Sequence, residues 1–193
     1  MKTLYFATHN PHKVKEIQAL LTSEFEIKTL TELGCEEDIP ETGDTFFENA
    51  QQKTDYVVRK YKVACFADDS GLEVDALNGE PGVHSARYSG SRDMEENMSF
   101  LLKKMERQKN RKARFKTVIS LFWKEEQYFF EGSIEGEIIS ERRGEEGFGY
   151  DPIFIPEGYG QTFAEMSAEE KNQISHRAIA VKKLAAFLLE DKE

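Results

Sequence analysis

The chain has 193 residues, enough for one domain, 1–193, with a sizeable core. Its hydrophobic fraction of 39% and charged fraction of 32% fit a soluble globular protein and exclude a disordered one. A net charge of −10 makes long nucleic acid a poor partner, although five of the 26 basic residues cluster in 108–116. No apolar run approaches a membrane span, and the start MKTLYFATHN has too short an apolar stretch for a secretory signal, so a cytoplasmic location is expected. Cys35 and Cys65 lack CxxC spacing, which favours free thiols over a disulfide or a zinc site.

Residues 3–7 read as a first strand. Pro11 suits the first position of a helix, and Val14, Ile17, Leu20 and Leu21 recur at helical spacing through about Ser23. Residues 25–30 read as the next strand. A helix follows from about Asp44, opened by the capping box Thr45-x-x-Glu48, with Phe47, Ala50, Thr54, Val57, Val58 and Tyr61 on its apolar face. Residues 63–67 form a short buried strand and 72–77 another. The stretch 78–92 (NGEPGVHSARYSGSR) is a long, Gly-rich loop of the kind that carries binding residues.

Met94, Met98, Leu101, Leu102 and Met105 mark an amphipathic helix, the methionines as core filler. Phe115, Thr117, Ile119, Leu121 and Trp123 alternate with period two, 125–127 breaks the run, and 128–130 resumes it, which predicts an antiparallel hairpin. Residues 134–140 continue the sheet. Ser167-x-x-Glu170 opens a short helix, and 177–189 closes the chain with Ala180, Val181, Leu184, Phe187 and Leu188 on one face. The fold class is α/β, a mixed central sheet flanked by helices.

Three polar stretches carry chemistry. In 8–13 (THNPHK), a helix N-terminus and Lys13 would attract phosphate, with Thr8 and Asn10 adding hydrogen bonds; the same residues also make an ordinary capped turn. In 68–71 (DDSG), Asp68 and Asp69 are expected to emerge at the end of a strand. Two such charges ~4 Å apart repel by about 4 kcal/mol at an effective dielectric near 20. They therefore need a proton, a basic partner or a cation, and hard oxygen ligands suit Mg²⁺. The other reading is an Asx-turn with Gly71 at positive φ. Glu41 either adds a third carboxylate or caps its own turn. Lys53, at i, i+4 from Asn49, points at a ligand or into solvent. In 144–151 (GEEGFGYD), Phe148 or Tyr150 offers a ring for base stacking. Lys171, His176 and Arg177 offer three cations, and His176 is otherwise a cap or a packed residue.

Taken together, ATHNPHKVKEI (7–17), ETGDTFFENA (41–50), ADDSGLEVDAL (67–77), PGVHSARYSG (81–90), GFGYDPIF (147–154) and EMSAEEKNQISHRAIA (165–180) resemble the inosine triphosphate pyrophosphatase family, the Ham1-type enzymes. The resemblance spans nearly the whole chain. It implies an elongated, two-lobed Maf/Ham1-like fold with a nucleotide-binding cleft between the lobes, and a homodimer. It implies hydrolysis of non-standard purine nucleoside triphosphates (ITP, dITP, XTP) to monophosphate and pyrophosphate, which cleanses the nucleotide pool.

By position it makes Asp69 the general base and a metal ligand, with Glu41 as the second ligand of Mg²⁺. Thr8, His9, Asn10, Pro11, His12, Lys13 and Lys53 would take the phosphates, and Ser70 would touch substrate. Phe148, Gly149, Tyr150, Asp151, Lys171, His176 and Arg177 would form the nucleotide pocket. His9 stands where members commonly have glycine, and His84 where they commonly have tyrosine. A Maf-type pyrophosphatase of other base specificity and a non-catalytic nucleotide-binding module are the competing readings.

Overall fold

The computed structural model describes residues 2–21 and 25–190. Strand β1 (Lys2–Phe6) leads into α1 (Pro11–Leu20), then β2 (Phe25–Thr29) and the short α2 (Leu30–Leu33). The expected end of α1 near Ser23 lies outside the described residues. Helix α3 (Phe46–Tyr61) precedes β3 (Cys65–Val74), and α4 (Met94–Met105) precedes the long strands β4 (Lys112–Trp123) and β5 (Glu126–Ile138). The chain closes with β6 (Phe154–Pro156), α5 (Ala168–Ile174) and α6 (His176–Glu190).

The strands form a six-stranded sheet in the order β2-β1-β3-β4-β5-β6. It is mixed: β1 runs parallel to β2 and β3, whereas β5 and β6 are antiparallel. Lys124 and Glu125 both take positive φ between β4 and β5, the conformation that a two-residue hairpin turn requires.

The chain divides into two compact units. One is drawn from Met1–Asp69, Thr117–Gly132 and Ala178–Glu193, the other from Ser70–Lys116 and Ser133–Arg177. In the first, Leu4, Phe6, Ile17 and Phe66 pack with Val181, Leu184 and Leu188 of α6, and Phe6 stacks on Phe66 at 4.5 Å. On the other face of the same strands, Ala7, Cys65 and Ala67 pack with Leu30, Cys35 and Val57. The period-two alternation of a strand makes this division. In the second unit, Leu72, Val74, Met98, Leu101, Phe115, Phe154 and Phe163 share one core.

Helix α3 starts where its sequence dictates. Thr45 Oγ1 accepts from Glu48 N–H and Glu48 Oε2 accepts from Thr45 N–H, closing the capping box. Its buried face is rotated from the expected one: Phe46 is buried, while Phe47 is 42% exposed and rests on Phe129. The rotation turns Asn49 and Lys53 inward. Thr54 Oγ1 lies 2.8 Å from Ser120 Oγ of β4, which fixes that orientation against the sheet.

A second correction concerns β3. The expected strands 63–67 and 72–77 merge into one strand, Cys65–Val74, so Asp68, Asp69, Ser70 and Gly71 lie within it rather than in a turn at its end, while Asp75–Leu77 forms a 3-10 turn. Extended backbone at Gly71 removes the Asx-turn reading.

Candidate active site

In the first unit, alternation along β3 sends Asp68 to the face of Phe66 and Asp69 to the face of Ala67. The two carboxylates therefore do not form the like-charge pair expected from their adjacency. Asp68, with no exposed surface, pairs with Lys13 of α1, whose Nζ lies 3.0 Å and 2.9 Å from its two oxygens. Asp69 accepts from the Asn49 amide of α3 at 3.0 Å.

Lys53 is buried rather than solvated. Its Nζ donates to Glu41 Oε1 and, at 2.6 Å, to the Asp68 carbonyl. Burial pushes the Lys53 ammonium down, but Asp69, Glu41 and Asp68 outweigh that and hold it above its ordinary value. Burial likewise works to raise the Glu41 carboxyl, yet Lys53 draws it below the usual range. Asp69 comes out the other way. Desolvation raises its carboxyl, and Lys53, Lys13 and Asn49 offset this only in part. The carboxyl expected to act as general base is thus shifted toward neutrality.

The first loop is a capped turn. Asn10 Oδ1 accepts from His12 N–H at 2.9 Å and Lys13 N–H at 3.3 Å, Pro11 takes the first helical position, and Thr8 Oγ1 accepts from Asn10 N–H. His9 and His12 are exposed, His9 with Nε2 at 3.1 Å from the Glu37 carbonyl. What this loop brings to the carboxylates is Lys13, together with the positive end of α1.

In the second unit, Asp151 organises a different cluster. Its Oδ2 accepts from Lys171 Nζ at 2.8 Å and from Phe148 N–H at 2.8 Å, both carboxylate and ammonium being buried. Gly147 takes φ +77°, and a Cβ there would strike the Asp151 carboxylate, so the turn admits only glycine. Lys171 Nζ lies 5.0 Å from the Phe148 ring centre and the Arg177 guanidinium carbon 5.7 Å from it. Arg177 Nη2 also donates to Ser70 Oγ at 3.2 Å.

Tyr150 is not the stacking ring. It is buried in the core, its hydroxyl donates to the Ser85 carbonyl at 2.8 Å, and burial pushes its phenol far up. His176 is packed face to face on Phe115 at 4.8 Å, and the Gly149 N–H points at Met94 Sδ. Phe148 is half-buried, with the Lys171 and Arg177 cations near its ring.

The expected site residues thus fall into two groups. Lys13, Glu41, Lys53, Asp68 and Asp69 gather in one unit; Ser70, Phe148, Asp151, Lys171 and Arg177 gather in the other. The peptide bond between Asp69 and Ser70 joins the groups along the chain. Sequence reasoning placed Asn49 on the face of Lys53, at i, i+4, but gave it no role.

Glu41, Asp68 and Asp69 offer only carboxylate oxygens, a donor set that fits a hard divalent ion. Among the described residues no group of three or more His, Cys, Asp or Glu side chains forms a ready metal cage. A site of one or two carboxylates completed by water and phosphate oxygens is the habit of Mg²⁺.

The profile of the Ham1 family matches residues 4–187. The chain is 54% identical over 191 residues to a dITP/XTP pyrophosphatase of Porphyromonas gingivalis, covering 98% of each. It is 46% identical to a dITP/XTP pyrophosphatase of Bacillus subtilis, covering 97% of this chain and 98% of that one. Among solved structures, the Ham1 protein of Staphylococcus aureus superposes with a TM-score of 0.91 at 41% identity, covering 99% of this chain and all of that one.

Proposed function

The chain belongs to the Ham1 family, and on that premise we propose that it hydrolyses non-standard purine nucleoside triphosphates to monophosphate and pyrophosphate. The relatives named dITP/XTP pyrophosphatases support this substrate class. They and the family match leave the Maf-type alternative without support. One geometric observation carries the reading furthest: Lys53 links the partly exposed Glu41 carboxylate to the Asp68 carbonyl, and Lys13 pairs with the buried Asp68 carboxylate, next to Asp69 on the same strand.

Hydrolysis of a phosphoanhydride requires neutralised charge more than covalent catalysis. In this reading, water forms a bond to one phosphorus of the α–β bridge while the bridging P–O bond breaks. The bridging oxygen leaves with the other fragment, and Asp69 takes the water proton. Lys13 and Lys53 exchange part of their pairing with Asp68 and Glu41 for contacts to phosphate oxygens. A bound Mg²⁺, held by Glu41 and Asp69, would add charge neutralisation at the phosphates. In this reading Phe148 stacks on the base, with Ser70, Lys171 and Arg177 offering donors.

A donor-rich pocket suits the 6-keto oxygen of hypoxanthine or xanthine, because the adenine amine would leave buried donors facing another donor; guanine shares that oxygen, so its refusal rests on the 2-amino group. On the family resemblance alone, we extend the reading to a homodimer in the cytoplasm, open to test by sedimentation.

Pyrophosphate release from dITP, XTP, dATP and GTP, with and without Mg²⁺, tests the proposal. Turnover of dITP and XTP should exceed that of dATP and GTP by orders of magnitude and require the ion. Equal turnover of all four would reject the selectivity. Tight dITP binding without hydrolysis would establish a binding module instead.

A further inference from the structure

The geometry points to Asn49 as a positioning residue for Asp69, a role that rests on the hydrolase reading above. Asn49 is 2% exposed and sits on α3 one turn before Lys53. Its Oδ1 accepts from Gly43 N–H at 2.8 Å, and its Nδ2 donates to Asp69 Oδ2 at 3.0 Å.

The two ends of an amide are chemically distinct, one accepting and one donating. A backbone N–H can only donate, so Gly43 holds Oδ1 toward itself and turns Nδ2 toward the carboxylate. Flipping the amide would oppose donor to donor and acceptor to anion. The orientation is therefore dictated by chemistry at both ends. Gly43 is itself confined: a Cβ there would fall 2.5 Å from Glu48 Cβ and 3.0 Å from Asn49 Oδ1.

Asn49 and Lys53 make two parallel struts from α3. Lys53 joins the Glu41 carboxylate to the Asp68 carbonyl; Asn49 joins the Gly43 N–H to the Asp69 carboxylate. The second strut fixes the plane of the base against the segment that carries Glu41. Gln52 provides an internal comparison. It also holds this segment, its Oε1 accepting from Thr42 N–H at 2.9 Å, and its side-chain hydrogen bonds go to Thr42.

The experiment compares Asn49→Asp, Asn49→Ala and Gln52→Ala in steady-state dITP hydrolysis with Mg²⁺. Binding of a non-hydrolysable α,β-imido dITP analogue and thermal unfolding are measured alongside. Asn49→Asp keeps the acceptor for Gly43 but loses the donor to Asp69. It should lower kcat by about 100-fold, with KM and analogue affinity within about threefold, since outer partners of catalytic groups typically carry 10–100-fold effects. Asn49→Ala should fall at least as far, and Gln52→Ala should stay within about threefold. If Asn49→Asp restores wild-type kcat, or Gln52→Ala loses as much as Asn49→Asp, the residue merely tethers the segment and the inference fails. An unfolded Asn49→Ala leaves the isosteric Asn49→Asp to decide. A wild-type protein that releases no pyrophosphate would overturn the hydrolase reading and this role with it. An active wild type matched by Asn49→Asp overturns the role alone.

Discussion

Asp68 and Asp69, consecutive in β3, leave the strand on opposite faces, one to Lys13 of α1 and the other to Asn49 of α3. Adjacency in sequence, which brings like charges together in a turn, separates them in a strand. Each carboxylate has its own electrostatic environment. Asp68 is matched by a lysine on both oxygens, while Asp69 is shifted toward neutrality.

The Lys13–Asp68 pair should be needed for folding as well as for phosphate binding. Lys13→Ala removes the lysine paired with a fully buried carboxylate and should cost about 3–5 kcal/mol in urea unfolding, in addition to raising KM. The double variant Lys13→Met, Asp68→Leu should recover most of that stability yet remain impaired. A Lys13→Ala protein as stable as wild type would show that the pair contributes nothing to folding.

Asp69→Asn should abolish turnover while making the ion-free protein more stable at neutral pH. The folded carboxyl lies above its ordinary value of 3.8, so folding favours the protonated form. Its contribution is most favourable below the unfolded value and declines as pH rises through the folded one. The asparagine variant should therefore gain over wild type at pH 7.5 and lose that advantage in acid as Asp69 takes up its proton. Unfolding at both pH values checks the sign. No gain at pH 7.5 would contradict it.

Phe148 and Tyr150 should separate cleanly. Phe148→Ala should raise KM for dITP about tenfold or more, in line with the ~1–3 kcal/mol of a base–aromatic stack, and Phe148→Tyr should largely preserve it. Tyr150→Phe removes the donor to the Ser85 carbonyl and should cost about 1 kcal/mol of stability with kcat and KM little changed. A reversed pattern would assign stacking to Tyr150.

Cys35 and Cys65 are both buried, and burial pushes the Cys65 thiol up to about 12. Native protein at pH 8 should react with a thiol-specific disulfide reagent only at the rate of unfolding, and both thiols should react at once in denaturant. Rapid labelling of Cys65 in the native state would show that its surroundings open.

Features set within a few residues were legible in the sequence. The capping boxes Thr45/Glu48 and Ser167/Glu170 both form, because each joins groups three residues apart. The period-two run from Phe115 to Trp123 became β4 for the same reason. Less was legible where neighbours competed. Phe46 and Phe47 lie about 100° apart on a helix, and only the partner surface decided that Phe46 enters the core. The three residues of β6 are too few to show a period, and their strand character comes from pairing with β5.

The site divides along the same line. Sequence alone named Lys13, Glu41, Lys53 and Asp69, because residue type and motif order carry chemical identity. From the residues alone it left Lys53 open between ligand and solvent and gave Asn49 no role, since burial depends on what packs over a side chain. The order of residues determined the family, most of the element types and which groups could act as acid, base or cation. Tertiary structure alone decided that β3 runs unbroken through Asp68 and Asp69, and so which helix meets each carboxylate. Charge and desolvation act through space, and their balance at Asp69 is set by groups up to 56 positions away along the chain, from Lys13 to Asn49 and Lys53.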